Sequence, residues 1–399
     1  MASKMLVETS ERDRGKSEMV MEDKLSRLPD EILLHILSFL DTKMAVQTSV
    51  LCTRWRYLWI SLPVINIDSD SFRYYSSFAN FVFSVFSRRD SSSSVTNCRF
   101  WFDISNPIYS SLQMGLDSHD LFEPLVKMVI HHVVDHGIQH LSLHFPRVVD
   151  ELPHLFYCHS LKTLELLEIV ILPNKNLDFL TLSSLHLVKC SFVLDEEGTL
   201  DPFEYCYNLK NLVISDCRIP SRVKIFEISA PQLTNLTISK MEHARNLSPN
   251  CKIVLSSTKI TSFRYVDSHI IEFSIAALPF IESLDVDVVL ADYLFGTIPL
   301  RKFISHLIDI LRAAGGAETV ILSLETLSML SMFPDFLGRP SPFSRMKDLK
   351  VKAPNELSSL TIPDEVITFL SGSPARDYKV EYPKVLVQPT AFSLMVGTH

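Results

Sequence analysis

The chain has 399 residues, of which 47% are hydrophobic and 21% charged, with a formal net charge of −8. That balance describes a folded protein, large enough for more than one unit or for one elongated repeat array, and it excludes a disordered chain. The acidic excess argues against non-specific nucleic-acid binding, which needs a basic surface, and no window holds the eighteen or so consecutive apolar residues of a membrane span. Residues 1–23 alternate charge sign, lack the apolar core of a secretion signal and read as a disordered tail. The seven cysteines (Cys52, Cys98, Cys158, Cys190, Cys206, Cys217 and Cys251) are scattered without a C-x-x-C pair, which points to free thiols in a reducing compartment. Without a secretory route, the glycosylation patterns at Asn235 and Asn246 read as chance matches. Ten glycines leave little from which to build phosphate-binding loops.

The first strong element is "LPDEILLHILSFL", residues 28–40, where seven of the ten residues from Glu31 to Leu40 are apolar. Pro29 suits the first turn of a helix, and Asp30 and Glu31 suit its positive end. At about 100° per residue, the apolar side chains run in one arc from Phe39 through Ile32, Ile36, Leu40, Leu33 and Leu37 to Leu34. The arc spans about 220°, roughly twice the width expected of a helix resting on one core. Such a helix needs cover from two directions. One cover follows directly. Asp41 can cap a short helix with Met44 and Val46, and Val50, Leu51, Trp55, Leu58 and Trp59 recur at spacings of three and four in another. Three short helices make a marginal core by themselves, so the second cover comes from the rest of the chain or from another protein.

The run "LSRLPDEILLHILSFLDTKMAVQTSVLCTRWRYLW" resembles an F-box: an L-P-D-E-[IL]-L opening, an S-x-L-D break, then S-V-L-C-x-x-W-R-x-L-W. The resemblance implies three helices that dock on the Skp-type linker protein of a cullin–RING ubiquitin ligase. Carried over residue by residue, it gives a docking set of Leu28, Pro29, Ile32, Leu33, Ile36, Leu37 and Leu40, with Val50, Leu51, Trp55, Leu58 and Trp59 bracing or extending it. The pattern does not divide partner contacts from core residues.

Beyond it an L-x-x-L-x-L unit recurs, starting at Ile138, Leu161, Leu182, Leu209 and Leu233, with looser copies from Ile260, Ile281 and Met346. Starts through Ile281 lie about 21 to 27 residues apart, the period of leucine-rich repeats. Each unit predicts a strand with leucines inward and intervening residues outward. Cys190 and Cys217 take the inward position that such repeats give to Asn or Cys, so they read as core filler. Upstream, residues 77–103 predict a helix, a serine-rich turn and a strand with Cys98, Phe100 and Phe102 inward. Residues 287–340 break the period, and "DILRAAGGAETVILSLETL" reads as a longer helix followed by a strand. The blocks "ELPHLFYCHSLKTLEL", "LDEEGTLDPFEYCYNLKNLVISDC", "ISAPQLTNLTI" and "IPDEVITFLSGSP" resemble those of plant F-box/leucine-rich-repeat proteins, some of which carry a C-terminal FBD region.

Catalytic patterns fare poorly. In "HHVVDHGIQH", His132 and His136 have a zinc-compatible helical spacing beside His131, Asp135 and His140, but Gly137 as a C-cap would carry His140 off that face. Histidines in a last turn instead complement the helix dipole. There is no G-x-S-x-G elbow, H-E-x-x-H or phosphate-loop lysine. Thiols at Cys158, Cys190 and Cys217 fall at repeat core positions, where burial keeps them protonated. Neither a metal nor a cofactor is expected.

The expected architecture is α/β: a tail over 1–23, an F-box over 24–64, an irregular leucine-rich-repeat horseshoe over 71–352, and a C-terminal cap and tail over 353–399 that is at most partly FBD-like. The candidate target-binding face is the outward row of the strands, with Lys162, Glu165, His186, Lys210, Asn211, Asn235, Arg264 and Asp285. The resemblance implies a non-catalytic substrate receptor in the nucleus or cytoplasm. It would bind a Skp-type linker, through that a cullin and a RING subunit, and separately an unnamed protein target, with no nucleic acid or membrane partner. The alternatives are a cullin-independent F-box/linker scaffold and a receptor gated by a small molecule.

Overall fold

The computed structural model describes residues 25–89, 92–103, 118–145, 155, 157–171, 179–194, 197–243, 251–267, 272–275, 278–288, 300–338, 340–352, 362–372 and 379–381. The tail expected over 1–23 and most of the region 353–399 lie outside them. Helix α1 (Asp30–Leu37) begins where Pro29 leaves extended backbone, its carbonyl accepting from the Ile32 and Leu33 amides. Asp30 and Glu31 occupy the first turn, where free N–H groups favour anions. The Asp41 carboxylate accepts from the Met44 amide at 2.6 Å and so caps α2 (Thr42–Gln47).

The single helix expected through Val50–Trp59 is broken. A 3-10 turn covers Thr48–Val50, α3 spans only Trp55–Leu58, and a second tight turn follows at Trp59–Ser61. The break turns Val50 and Leu51 to solvent while Trp55, Leu58 and Trp59 face inward. Arg54 then straps α3 to α1, its Nε donating to Asp30 Oδ1 at 2.7 Å and its Nη2 to the Leu28 carbonyl. Buried Thr42 accepts the Asn66 amide at 2.8 Å, and Lys43 Nζ lies 4.4 Å from the centre of the Phe72 ring. These contacts fasten the helices to strand β1 (Val64–Asp68).

From β1 the strands lie side by side in chain order. They are β2 (Asn97–Trp101), β3 (His140–His144), β4 (Thr163–Leu167), β5 (Ser184–Val188), β6 (Asn211–Ser215), β7 (Asn235–Ser239), β8 (Ser262–Asp267), β9 (Ser283–Val288), β10 (Thr319–Ser323), β11 (Asp348–Lys352) and β12 (Lys379–Glu381). Every pairing is parallel, and among the described residues the sheet has twelve strands. Side chains alternate as period two demands. Leu164, Leu185, Leu212 and Leu236 share one buried row, and Leu166, Leu187, Ile214 and Ile238 the next. Full burial of each such side chain contributes about 1.5–3 kcal/mol, repeated strand by strand. Twelve strands exceed the eight leucine units, because β1 and β12 lack the L-x-x-L-x-L signature and β2 and β10 fill the inner rows with Cys98, Phe100, Val320 and Leu322.

The corners are regular too. Glu168, Lys189, Asp216 and Lys240 directly follow β4 to β7 and have positive φ between 48° and 60°. Left-handed backbone costs a non-glycine residue roughly 1–2 kcal/mol. Here each corner amide donates to a carbonyl at the end of the next strand (Val188, Ser215, Ser239 and Val266) at 2.8–2.9 Å. The residues that follow, Ile169, Cys190, Cys217 and Met241, are buried. The Cys190 thiol donates to the Leu166 carbonyl at 3.3 Å, and Cys217 to that of Leu187 at 3.4 Å. Past the corners run two four-stranded parallel sheets. One joins Val170–Ile171, Ser191–Phe192, Arg218–Ile219 and Glu242–His243. The other joins Gly198–Leu200, Val223–Ile228, Lys252–Leu255 and Glu272–Ile275.

Toward both ends helices replace this backing. Helices α4 (Tyr75–Arg88) and α5 (Ser118–Asp135) lie behind the first strands, the Phe78 ring 5.8 Å from that of Phe100. Gly137 ends α5 at φ 77°, as the C-cap reading expects. Helix α6 (Leu300–Ala313) covers the Glu272–Ile275 edge. The expected strand through "TVILSLETL" stops at Ser323. That side chain accepts from the Thr326 amide at 3.2 Å and caps α7 (Leu324–Ser331), whose Leu324, Leu327 and Leu330 are buried at helical spacing. Helices α8 (Pro334–Leu337) and α9 (Asp364–Ser371) complete the described elements.

Candidate functional site

The apolar arc of α1 is divided along its length. Leu33 and Leu37 are at most 1% exposed and sit with Ala45, Trp55, Leu58 and Trp59 in a core continuous with the sheet. These docking candidates are sheltered by the chain itself, so they shape the surface from beneath and do not present it. Leu28 and Leu40 are half-buried against that core. Pro29 is exposed, Ile32 is 45% and Ile36 36% exposed, and across the break Val50 and Leu51 reach 84% and 64%. Leu25, Phe39, Met44 and Tyr57 are also exposed, an extension that the candidate set did not contain. Phe39 lay at the margin of the arc. Met44 could have been read from α2, where Thr42 and Ala45 turn inward and leave Met44 outside.

The surface is apolar and lightly charged. The Asp30 carboxylate at its edge is engaged by Arg54, and His35 packs edge-on against Phe39 at 4.9 Å. Large aliphatic side chains left half or more in water forgo much of the roughly 1.5–3 kcal/mol that burial contributes to each. Apolar groups massed this closely mark an interaction surface.

The outer face of the large sheet carries the other candidates. Glu165, His186 and Asn211 are half-buried on β4, β5 and β6, Asn235 and Arg264 are exposed on β7 and β8, and Lys162 and Lys210 sit exposed just before β4 and β6. Asp285 departs from the expectation. It is buried, because Lys352 Nζ donates to both its carboxylate oxygens at 2.6 Å and Arg264 Nε approaches to 3.6 Å. A group held so firmly within the sheet is not displayed to a partner. Burial pushes the His186 imidazole below its ordinary pKa against the opposing pull of Glu165, so the ring is neutral near pH 7. Outward period-two positions missed by the candidate set include Trp101, His144, Leu167 and Val188 at the strand ends. There the Trp101 and His144 rings meet at 4.0 Å, and His144 Nε2 donates to Glu168 at 3.0 Å.

The histidine-rich end of α5 is packed and folded in on itself. His132 and His136 stack with ring centres 4.0 Å apart, and His136 Nδ1 donates to the His132 carbonyl at 2.6 Å. Burial first, with help from His136 and Arg89, pushes the pKa of His132 down to about 4. Among the described residues no three His, Cys, Asp or Glu side chains converge as a metal site. No described helix is long and apolar enough to cross a membrane.

Residues 25–66, the segment bearing the divided arc, match the model of the F-box domain. The chain carries an F-box domain at these residues. Proteins similar to it occur in Arabidopsis thaliana. An F-box/FBD/LRR-repeat protein of Arabidopsis thaliana is 28% identical over 299 residues, covering 72% of this chain and 60% of the relative. A second is 34% identical over 175 residues, covering 36% and 38%. A third is 29% identical over 273 residues, covering 67% and 55%. The chain spans about half to three-fifths of the length of the curated relatives it matches along most of its own.

Proposed function

We propose that this F-box protein is the substrate-recognition adaptor of an SCF-type ubiquitin ligase. Its F-box, residues 24–64 with Ile65 and Asn66 running into the first strand, clamps a Skp-type linker that brings the cullin and RING subunits. Residues 71–352 act as a leucine-rich-repeat horseshoe whose outer strand face holds a protein target, and residues 353–399 supply a C-terminal cap and tail. The chain itself catalyses nothing. It raises the effective concentration of the target's lysines at the ubiquitin-conjugating enzyme. Its place of action is the nucleus or cytoplasm.

One observation carries this reading: Ile32, Ile36, Val50 and Leu51 stand exposed over a core already closed by Leu33, Leu37, Trp55 and Leu58. The helices therefore fold against the sheet and still need apolar cover from another molecule. The test is co-purification with recombinant linker protein. Ile32→Asp with Val50→Asp abolishes the complex while the far-ultraviolet circular dichroism and melting of the free chain stay unchanged. Wild-type chain that captures no linker, or a double variant that captures it undiminished, overturns the docking assignment. Capture of linker without cullin in a pull-down from plant extract leaves a two-protein scaffold in place of a ligase.

A further inference from the structure

The acidic side chains Asp285, Glu168 and Glu165 on the outer sheet face are already engaged. Lys352 and Arg264 hold Asp285, Lys189 Nζ and His144 hold Glu168 at 3.2 and 3.0 Å, and Glu165 accepts from Ser142 Oγ at 2.9 Å. At the N-terminal ends of the strands, beyond these groups, lies a row of neutral hydrogen-bonding side chains. Thr163, Ser184, Asn211, Asn235, Ser262 and Ser283 stand side by side in direct register on six consecutive strands. Strands repeat about every 4.8 Å, so the row is about 24 Å long, the reach of roughly seven residues of extended chain. Within the row Asn235 Nδ2 donates to Asn211 Oδ1 at 2.6 Å, and a hydroxyl or primary amide has more capacity than one such bond uses. At the other end of the same strands, Leu167 and Val188 are in register and only half-buried, an apolar step about 13 Å from the polar row along β4 and β5.

We propose that this face selects an uncharged, extended stretch of its target polypeptide. The stretch hydrogen-bonds along the row from Ser283 to Thr163, then turns along β4 and β5 and lodges one apolar side chain against Leu167 and Val188. The inference rests on the receptor reading above and names the class of target segment. A nucleic acid or a strongly charged tail would need a face of one sign, whereas this one mixes Lys162, Lys210 and Arg264 with Glu165, Glu168 and Asp285. A glycan is favoured by an open aromatic platform, whereas the Trp101 ring is flanked by Arg99 at 4.7 Å and His144 at 4.0 Å. His186, in the middle of the face, is kept neutral by burial.

The experiment pans phage-displayed random dodecapeptides on the immobilised full chain, with selected peptides resynthesised and measured by fluorescence anisotropy. Selected sequences should sit near zero net charge and carry an aliphatic or aromatic anchor. Their affinity should change less than about threefold between roughly 0.01 and 1 M salt, over which the screening length falls from about 30 to about 3 Å. Ser184→Lys with Asn211→Lys and Asn235→Lys should weaken them at least tenfold. The milder Asn211→Ala with Asn235→Ala, checked by thermal melting, should weaken them about threefold and guards against misfolding of the triple variant. Strongly acidic or basic selections with steep salt dependence, peptides indifferent to both variants, or no enrichment at all would overturn the proposal. Linker capture, measured on the same preparation, separates the two readings. Charged selections with linker bound sink only the target class, whereas absent linker binding sinks the receptor itself.

Discussion

In the sheet, Leu185 and Leu212 meet in register inside the chain, whereas in α1 Ile32 and Ile36 stand half in water beside buried Leu33 and Leu37. The same residue types thus obey two rules. A strand has two faces, and alternate residues divide cleanly between core and solvent, so every leucine of a repeat has a place within the molecule. A short helix with an arc of about 220° presents more apolar surface than the chain behind it can cover. The difference teaches that the sheet is satisfied by its own sequence and that the N-terminal helices are only half satisfied.

The sharpest way to break this comparison is to put a carboxylate on each side of it. Leu212→Asp buries an unpaired charge in the inner row and should cost more than about 4 kcal/mol in urea unfolding, while its outward neighbour Val213→Asp should cost under about 1 kcal/mol. Equal losses would dissolve the two-faced sheet. In the helices, Leu33→Ala should destabilise the free chain by about 2–5 kcal/mol. Ile32→Ala should barely move its melting yet weaken linker binding at least tenfold, about 1.4 kcal/mol or more. If Leu33 and Ile32 behaved alike in both assays, the division of the arc would be wrong.

Smaller effects probe the packing behind the sheet. Folded His132 titrates near about 4 against 6.5 for the free side chain, because burial disfavours its charged form. The unfolded chain then binds more protons between those values, so this contribution is complete above about pH 6.5 and fades as pH falls toward 4. For a half-buried ring beside Arg89, His136 and Asp135, screening reduces it to about 1 kcal/mol. Urea melts at pH 7 and 4.5 should show a shallower acid loss in His132→Gln than in the parent, and an unchanged slope would count against this assignment. Smallest of all, Cys217→Ala should cost about 1 kcal/mol through lost packing and the thiol's bonds to backbone carbonyls, whereas Cys52→Ala on the exposed loop should cost nothing measurable.

Much of this was legible in the residues. The leucine period located β3 to β9 and β11, and Gly137 marked the end of α5. Strand β1 escaped because "VINID", though as long as its neighbours, lacks the leucine unit, and β12 because "KVE" is too short to show a period. The engagement of Asp285 was equally hidden, since its partner Lys352 lies 67 residues away and two strands over.

From the one-dimensional string come the excess apolar arc of α1, the inward rows and the cysteines that close the corners, all properties of periodicity along a single element. Which half of that arc is closed by Trp55 and Leu58, and which outer charges are neutralised by one another, depends on residues brought together across many strands. Spacing along one element sets the direction of a side chain, but burial and ion pairing depend on what stands opposite, and only the folded chain supplies that.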